Sequence, residues 1–291
     1  PALADSTNDL VFQGFSNQNK GLLAICSAGA AESTGEEVFS GLCQVWQNGK
    51  LLAEDSELSF ESKVMQIDTQ SQLTEQPLSK NNQRNPMLPF LLIKDQDKQL
   101  ETAFEIQTTG LMGRMRHTKS EKLVLGISGG ADSSIAFFIC CHALEQLGLP
   151  IENLIAVSMP GPGSSVNSQK NTVDLTNLAG IKQRVISITA VTSEHLMTIG
   201  HHGTADVTYE NAQARERTKI LMNLANLQKG LVIGTGDLSE IALGWSTYNG
   251  DQMSMYNVNA GLPKTILLRL LPWAAELLFG VEGRNVAQRI V

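Results

Sequence analysis

Leu123-Val-Leu-Gly-Ile-Ser-Gly-Gly-Ala-Asp-Ser-Ser134 is the stretch of sequence that decides the fold. Its apolar beginning, 123–127, is typical of a buried parallel strand, and the apolar pattern that follows Asp132 and Ser133 predicts a helix. The glycine turn between them leaves backbone N–H groups pointing one way at a helix N-terminus, where the helix dipole adds positive potential. The stretch therefore predicts a turn that binds phosphate or pyrophosphate.

This turn differs from the other common nucleotide-binding turns. It lacks the Gly-Lys-Ser/Thr ending of a Walker loop and the GxGxxG spacing of a dinucleotide-binding turn. Gly129 and Gly130 allow an anion to approach the backbone, and Asp132 is placed to hold the Mg²⁺ that accompanies a nucleoside triphosphate. A Gly-Gly pair alone is equally consistent with a plain tight connection. The full order Ser-Gly-Gly-x-Asp-Ser after a strand resembles the pyrophosphate-binding loop of the ATP pyrophosphatases.

Composition limits the classes of partner. The chain has 291 residues, enough for one large or two modest domains, and its 42% hydrophobic and 18% charged residues are ordinary for a soluble globular protein. A net charge of −7 argues against a nucleic-acid or anionic-membrane surface. The longest apolar run, 266–281, is interrupted by charged residues and a proline. We expect small-molecule substrates, with no nucleic acid and no membrane.

The four cysteines, Cys26, Cys43, Cys140 and Cys141, show neither the spacing of a metal site nor that of a secreted disulfide framework. The adjacent pair lies in an apparent helix, where its members point apart and act as small apolar residues. A reducing compartment fits this usage, so we expect a cytoplasmic protein.

Three parts of the chain differ in pattern. Residues 1–70 alternate short apolar runs with turn signals, of which Asn48-Gly49 is the clearest, and are predicted to be mostly β. Residues 71–93 are rich in polar residues and proline and predict a linker. From residue 94 onward, strands alternate with helices, which predicts an α/β fold with a doubly wound parallel sheet. In such sheets ligands bind at the carboxyl ends of the strands.

A second predicted strand end reads Leu231-Val-Ile-Gly-Thr-Gly-Asp-Leu-Ser-Glu240. Its Gly-Thr-Gly turn exposes backbone donors and places the Thr235 hydroxyl at the rim. Asp237 and Glu240 have the spacing of a capping box, which is a sufficient explanation for Asp237. Glu240 is also a candidate metal ligand together with Asp132, because Mg²⁺ usually takes one or two protein carboxylates.

Two further segments carry candidate binding residues. Asn211 and Arg215 lie one turn apart on a predicted helix, where a solvated charged face is the alternative interpretation. The segment 243–260 is an unusually long loop, and such loops in compact domains tend to be functional. In it, Trp245 is a candidate to stack on a flat ring or to anchor the loop. Lys264 follows at the start of the last predicted helix, where a cation facing phosphate would help.

Four segments together, 128–133, 208–217, 234–245 and 247–265, resemble the synthetase domain of glutamine-dependent NAD⁺ synthetases. The resemblance implies an adenine nucleotide alpha hydrolase-like fold and the ATP-dependent amidation of deamido-NAD⁺, with ATP and Mg²⁺ required. ATP is then expected at Gly126, Ile127, Ser128, Gly129, Gly130, Ala131, Asp132, Ser133 and Thr235. Deamido-NAD⁺ is expected at Asn211, Glu240, Trp245 and Asp251, metal at Asp132 and Glu240, and catalytic roles at Asp132, Arg215 and Lys264.

The first part of the chain extends the resemblance. Residues 27–34 and 48–54 look like the closing strands of the nitrilase-like glutaminase domain of that family. The family's Glu/Lys/Cys triad lies upstream of this part, and no cysteine here has a matching context. The family also continues past the position of Val291. We therefore expect a partial glutaminase domain (1–70), a linker (71–93) and a synthetase domain truncated at its C-terminus (94–291).

Several alternatives stay open from the sequence. The nitrogen donor is glutamine in a full-length parent, or ammonia, and the resemblance implies a homodimer or higher homo-oligomer. Another ATP-pyrophosphatase, such as a GMP or asparagine synthetase, is a rival enzyme, although 210–217 and 245–259 favour NAD⁺ synthetase. A non-catalytic nucleotide-binding fragment is the rival outside the enzymes.

Overall fold

A computed structural model describes residues 5–32, 38–55, 58–60, 64–67, 96–162 and 164–291. The chain divides into two compact units, Pro1–Thr109 and Gly110–Val291. The predicted linker, 71–93, lies outside the described residues, so the predicted domain boundaries stay a prediction. No helix in the described ranges has both the length and the apolar character that crossing a membrane requires.

The first unit contains a helix and a three-stranded antiparallel sheet. Helix α1 spans Asp5–Asn19, and strands β1 (Leu22–Cys26), β2 (Cys43–Gln47) and β3 (Lys50–Asp55) pair in the order β1-β2-β3. The β2–β3 hairpin turns at Asn48-Gly49, whose φ angles of 49° and 77° are both left-handed. Asparagine and glycine tolerate that conformation best, so the hairpin predicted there is confirmed.

The prediction that residues 1–70 are mostly β is wrong for helix α1. Its apolar residues are confined to 10–15, a run too short to show a helical period, and Leu10, Val11 and Phe15 remain exposed. Polar contacts hold it instead: the Gln13 amide donates to the Gly49 carbonyl at 3.1 Å. The Gln44 amide likewise donates to Asp9 at 2.9 Å. Such contacts to a distant hairpin leave no periodic signal in the sequence.

The second unit is built on a five-stranded parallel sheet of order β6-β5-β4-β7-β8. This confirms the predicted α/β class. Helix α2 (Gln96–Thr118) precedes these strands in the chain, and the division between the units, after Thr109, falls within it. The later elements are β4 (Leu123–Gly126), α3 (Ala131–Gln146), β5 (Leu154–Ser158), α4 (Val166–Leu178), β6 (Arg184–Val185), α5 (Thr189–Thr198), α6 (Val207–Gln228), β7 (Leu231–Gly234), α7 (Leu238–Leu243), β8 (Tyr256–Asn257) and α8 (Lys264–Gln288).

Strand β4 is buried on both faces. Val124 lies in an apolar cluster with Val232 of β7 and Ala225 of α6. Since side chains alternate along a strand, Leu123 and Leu125 point to the opposite face, and both are fully buried. Helix α3 contacts β4 and packs along α8. A strand covered on both faces accounts for the unbroken apolar run in the sequence.

The topology places a crevice between β4 and β7. The chain runs from β4 to β5 and β6 on one side, then returns to add β7 and β8 on the other. The strand order therefore reverses between β4 and β7, and open α/β sheets bind ligands outside the carboxyl ends of such strands. The Ile127 N–H donates to the Val157 carbonyl at 2.9 Å, so the turn begins at Ser128.

Candidate active site

The turn after β4 is held in one conformation by its own hydroxyl groups. Ser133 Oγ lies 3.0 Å from Ser128 Oγ and accepts a hydrogen bond from the Ser128 N–H at 3.2 Å. Gly129 has a φ of 79°, and the Asn171 amide donates to its carbonyl at 3.1 Å. A Cβ at Gly129 would overlap the carbonyl oxygen of Ser168. Glycine is therefore required here by conformation and by space.

Helix α3 begins directly from this turn without a side-chain cap. Gly130 is the N-cap residue and offers no side chain. The hydroxyls of Ser133 and Ser134 both donate to the Gly130 carbonyl, at 3.1 and 2.7 Å. They therefore leave the N–H groups of the first helical turn to another acceptor. An uncapped helix N-terminus at a sheet crevice has the backbone donors and dipole that bind anions.

We expect Gly129→Ala to destabilise the protein and weaken nucleotide binding. A left-handed alanine costs about 1–3 kcal/mol, and the overlap with Ser168 adds to it. Gly148→Ala is the matched control, because Gly148 has a φ of 65° with no atom near its missing Cβ. Urea unfolding and ATP titration of both variants measure the effects. Equal ATP affinity in Gly129→Ala and Gly148→Ala would contradict this role of the turn.

The turn after β7 carries the predicted capping box. The Asp237 carboxylate accepts a hydrogen bond from the Glu240 N–H at 2.9 Å, and the Glu240 carboxylate accepts one from the Asp237 N–H at 3.2 Å. Asp237 is fully buried, whereas the Glu240 side chain is 30% exposed. The box fixes the start of helix α7 and directs both carboxylates toward the end of β7.

Lys264 joins these carboxylates to the turn after β4. Its Nζ lies 2.6 Å from Asp132 Oδ1, 2.6 Å from Asp237 Oδ2 and 3.6 Å from Glu240 Oε1. Oxygens of the three carboxylates lie within 4.8 Å of one another. Asp132, Glu240 and Lys264 are thus brought together as the sequence suggested. Asp237, predicted only as a cap, is the added member of what we call the carboxylate cluster: Asp132, Asp237 and Glu240.

Burial and neighbouring charges shift the pKa values of Glu240, Asp237 and Lys264. Burial raises the pKa of Glu240, and the neighbouring Asp132 carboxylate raises it further. Burial also opposes ionisation of Asp237, but hydrogen bonds from Lys264 and the Glu240 N–H outweigh it and lower the pKa of Asp237. Burial would likewise lower the pKa of Lys264, but its bonds to Asp132 and Asp237 raise it. Lys264 and Asp237 therefore form a charged pair at neutral pH.

Asn259 ties the two turns together and was missed by the sequence analysis. Its side chain is fully buried, and its Nδ2 donates to the Asp132 carbonyl at 3.1 Å and to the Thr235 carbonyl at 2.9 Å. Asn257 supports it, since Asn257 Oδ1 accepts from the Asn259 N–H at 3.1 Å. Asn257 lies in β8, a two-residue strand, and Asn259 comes two residues later. The segment 243–260 was predicted to be one long loop, so that prediction is wrong at Tyr256–Asn257.

We expect Asn259→Asp to loosen the junction between the two turns. An oxygen replaces the nitrogen that donates to two carbonyls, and the loss should lower the free energy of unfolding by about 1–3 kcal/mol. ATP affinity should fall with it. Thr176→Val is the control, because it removes a buried hydrogen bond, 3.0 Å to the Thr172 carbonyl, within helix α4. Unchanged stability and ATP affinity in Asn259→Asp would contradict the role given to Asn259.

The predicted deamido-NAD⁺ residues lie around the segment 243–255. Asn211 Oδ1 accepts a hydrogen bond from the Thr247 hydroxyl at 2.7 Å, and Asp251 accepts one from the Thr247 N–H at 2.6 Å. Trp245 is 77% exposed, so it does not anchor the segment to the core. Arg215 donates from Nε to the Tyr248 carbonyl at 3.2 Å, and no ion pair is described between it and the carboxylate cluster.

The family model described as NAD synthase matches residues 104–276. The chain belongs to the NAD synthase family. The matched range contains both turns, the carboxylate cluster, Lys264 and the segment 243–260.

Curated relatives of this chain are longer proteins. The glutamine-dependent NAD(+) synthetase of Mycobacterium tuberculosis (strain H37Rv) is 35% identical over 91% of this chain and 45% of its own length. That of Thermotoga maritima is 36% identical over 60% of this chain and 30% of its own length. The chain therefore spans less than half the length of each of these relatives.

Solved structures share the fold. The glutamine-dependent NAD⁺ synthetase of Acinetobacter baumannii, in complex with ADP, aligns with 98% of this chain and 51% of its own, with a TM-score of 0.76 at 20% identity. The NH₃-dependent NAD synthetase of Campylobacter jejuni, in complex with nitrate, covers 62% of this chain and 76% of its own, with a TM-score of 0.55 at 26% identity. The first likeness covers nearly the whole chain and confirms the predicted fold class.

Proposed function

We propose that this member of the NAD synthase family converts deamido-NAD⁺ to NAD⁺ with ATP as co-substrate, which is released as AMP and pyrophosphate. The observation that carries the proposal is the cluster of Asp132, Asp237, Glu240 and Lys264 beside the uncapped start of helix α3. Backbone donors and an ammonium suit triphosphate, and carboxylates suit the cation that accompanies it. Membership of the family supports the choice of substrate.

The ATP phosphates are proposed to bind the turn Ser128–Ser133. The first-turn N–H groups of α3 would donate to phosphate oxygens, and the left-handed Gly129 holds the turn in the conformation that leads into that helix. Thr235 lies across the crevice, held by Asn259 to the carbonyl of Asp132. The two turns would thus bind one nucleotide from two sides. The ADP in the Acinetobacter baumannii structure is consistent with a nucleotide site in this fold.

The donor set fits Mg²⁺. Three carboxylates against one ammonium leave an excess of negative charge, and hard cations prefer carboxylate oxygens. Asp237 is fully buried, and it contacts the Glu240 N–H through one oxygen and Lys264 through the other. Asp132 and Glu240 are partly exposed, at 26% and 30%, and are therefore the residues that would hold the ion. When bound, Mg²⁺ would neutralise negative charge on the triphosphate.

The reaction is proposed to have two steps. The nicotinic carboxylate of deamido-NAD⁺ attacks the α-phosphorus of ATP, which gives an adenylated carboxyl group and pyrophosphate. Ammonia then attacks the carbonyl carbon, and AMP leaves as the amide forms. No covalent protein intermediate is required, so the chain contributes positioning and charge: α3 donors and Lys264 on the phosphates, with Asn211, Trp245 and Asp251 toward the dinucleotide.

Exchange of labelled pyrophosphate into ATP tests the first step. We expect the purified chain to catalyse exchange only when deamido-NAD⁺ is present. Nicotinic acid mononucleotide, GMP precursors and aspartate should not support exchange in its place. Exchange supported only by one of those acceptors would assign another enzyme of the same class. ATP binding without any exchange would favour a non-catalytic nucleotide-binding fragment and contradict the proposal.

Asp132→Asn tests the metal ligand. The amide keeps the shape and can still contact Lys264, but it removes one of the two carboxylates proposed for Mg²⁺. We expect a cooperative unfolding transition like that of the wild type, and at least a tenfold higher Mg²⁺ concentration for half-maximal exchange. Asp174→Asn is the control, because Asp174 is paired with Arg289 at 2.6 Å on α4. Full Mg²⁺-dependent turnover in Asp132→Asn would remove Asp132 from the metal site.

A further inference from the structure

Two cysteines that are 17 positions apart in sequence lie opposite each other on adjacent strands of the first unit. Strands β1 and β2 are antiparallel, and Cys26 is directly opposite Cys43 in their register. Residues in directly opposed positions project their side chains from the same face of a sheet. The two thiols therefore share one face at the end of the β1–β2 ladder.

Their direct opposition sets the distance between them. Directly opposed residues of antiparallel strands have Cα atoms about 4.5–5.5 Å apart, whichever type of pair they form. Both separations fall within the range of roughly 4.4–6.8 Å that a disulfide requires.

The thiols also differ in access from the other two. Cys26 is exposed and Cys43 partly exposed, whereas Cys140 and Cys141 are buried in helix α3. Burial raises the pKa of Cys140 and Cys141, so both stay protonated at neutral pH. Because the thiolate is the reactive form, thiol chemistry is expected at Cys26 and Cys43 and not in α3.

We propose that Cys26 and Cys43 form a reversible modification site whose co-reactant is a small disulfide of the glutathione class. The thiolate of the exposed Cys26 attacks one sulfur of that disulfide, forming a mixed disulfide and releasing one small thiol. The Cys43 thiolate then attacks Cys26 Sγ, forming the cross-strand disulfide and releasing the second small thiol. The protein is oxidised by two electrons and loses two protons, and the small disulfide is reduced to two thiols. The site is independent of the function proposed above.

Mass spectrometry of the reduced 291-residue chain, incubated under native conditions with oxidised glutathione, tests the site. We expect a loss of about two mass units and a cross-linked peptide joining Cys26 to Cys43. The rate should not depend on protein concentration, dithiothreitol should reverse the change, and Cys140 and Cys141 should remain thiols. Disulfide-linked dimers, a glutathione adduct that persists on wild-type Cys26, or no reaction would each overturn the proposal.

Two serine variants separate the steps. Cys43→Ser should retain a stable glutathione adduct on Cys26, because the second thiol that would displace glutathione is missing. Cys26→Ser should react at least tenfold more slowly, because the more exposed thiol is gone. The wild-type peptide map keeps the test valid if either variant folds poorly. Release of glutathione from Cys43→Ser as fast as from wild type would contradict resolution by Cys43.

Discussion

Lys264→Met is expected to reduce deamido-NAD⁺-dependent pyrophosphate exchange by about 100-fold or more. Lys264 is the ammonium that contacts both turns, with Nζ 2.6 Å from Asp132 on one side and 2.6 Å from Asp237 on the other. Methionine keeps the length of the side chain and removes its charge. Losing one preorganised donor to the negative charge of a transition state typically costs about 10²–10³-fold in rate.

The same variant should be less stable at neutral pH. The raised pKa of Lys264 means that folding favours its protonated form, so its contribution is fully present below the unfolded pKa of 10.5 and is lost at higher pH. Removal leaves a carboxylate cluster without its cation. Because the Lys264 side chain is 35% exposed, water screens part of this repulsion, and we expect a loss of about 1–3 kcal/mol.

Lys219→Met is the matched control. Lys219 pairs with Glu216 at 2.5 Å on α6, and its side chain is 57% exposed. An i,i+3 pair on one helix contributes only about 0.2–0.5 kcal/mol, so both exchange and stability should stay near wild type. Urea unfolding at pH 7 and exchange assays at saturating ATP measure both variants. A Lys264→Met protein with wild-type exchange would contradict the proposed contact between this ammonium and the triphosphate.

Features carried by local patterns could be predicted from the sequence. The apolar run before Ser128, the glycine pair and the following apolar helix predicted β4, its turn and α3, because a strand buried on both faces has a distinctive composition. The Asp237–Glu240 spacing predicted a capping box for the same reason: a cap joins residues three apart. Asp132 and Glu240 were placed together because carboxyl ends of parallel strands share one edge.

Features that depend on contacts between distant residues could not be predicted from the sequence. Asn259 reaches the carbonyl of Asp132, 127 positions away, and an asparagine in a loop gives no sign of such a bond. The opposition of Cys26 and Cys43 depends on the register of two strands, which their spacing does not encode. The apolar residues of helix α1 are confined to 10–15, too short a run to show the period that identifies most helices, and polar groups of the hairpin help to hold the helix.

The nitrogen source gives the remaining prediction: the 291-residue chain should release no ammonia from glutamine. Glutamine hydrolysis needs a thiolate activated by a nearby base. Burial raises the pKa of Cys140 and Cys141 and keeps them protonated. Cys26 and Cys43 face each other across a sheet in the first unit, while all five histidines belong to the second unit. Among the described cysteines, none has the setting of a catalytic nucleophile.

NAD⁺ formation by this chain should therefore require added ammonium. Its rate at subsaturating total ammonium should rise about tenfold per pH unit while the pH stays well below the ammonium pKa, because NH₃ and not NH₄⁺ is the nucleophile. Glutamine at the same concentration should give neither glutamate nor NAD⁺. Glutamate release that Cys26→Ser or Cys43→Ser abolishes would contradict the prediction, since it would place a working nucleophile on β1 or β2. Absence of NAD⁺ even with ammonium would count against synthesis by this chain and leave the glutaminase prediction standing, because the two reactions use different residues.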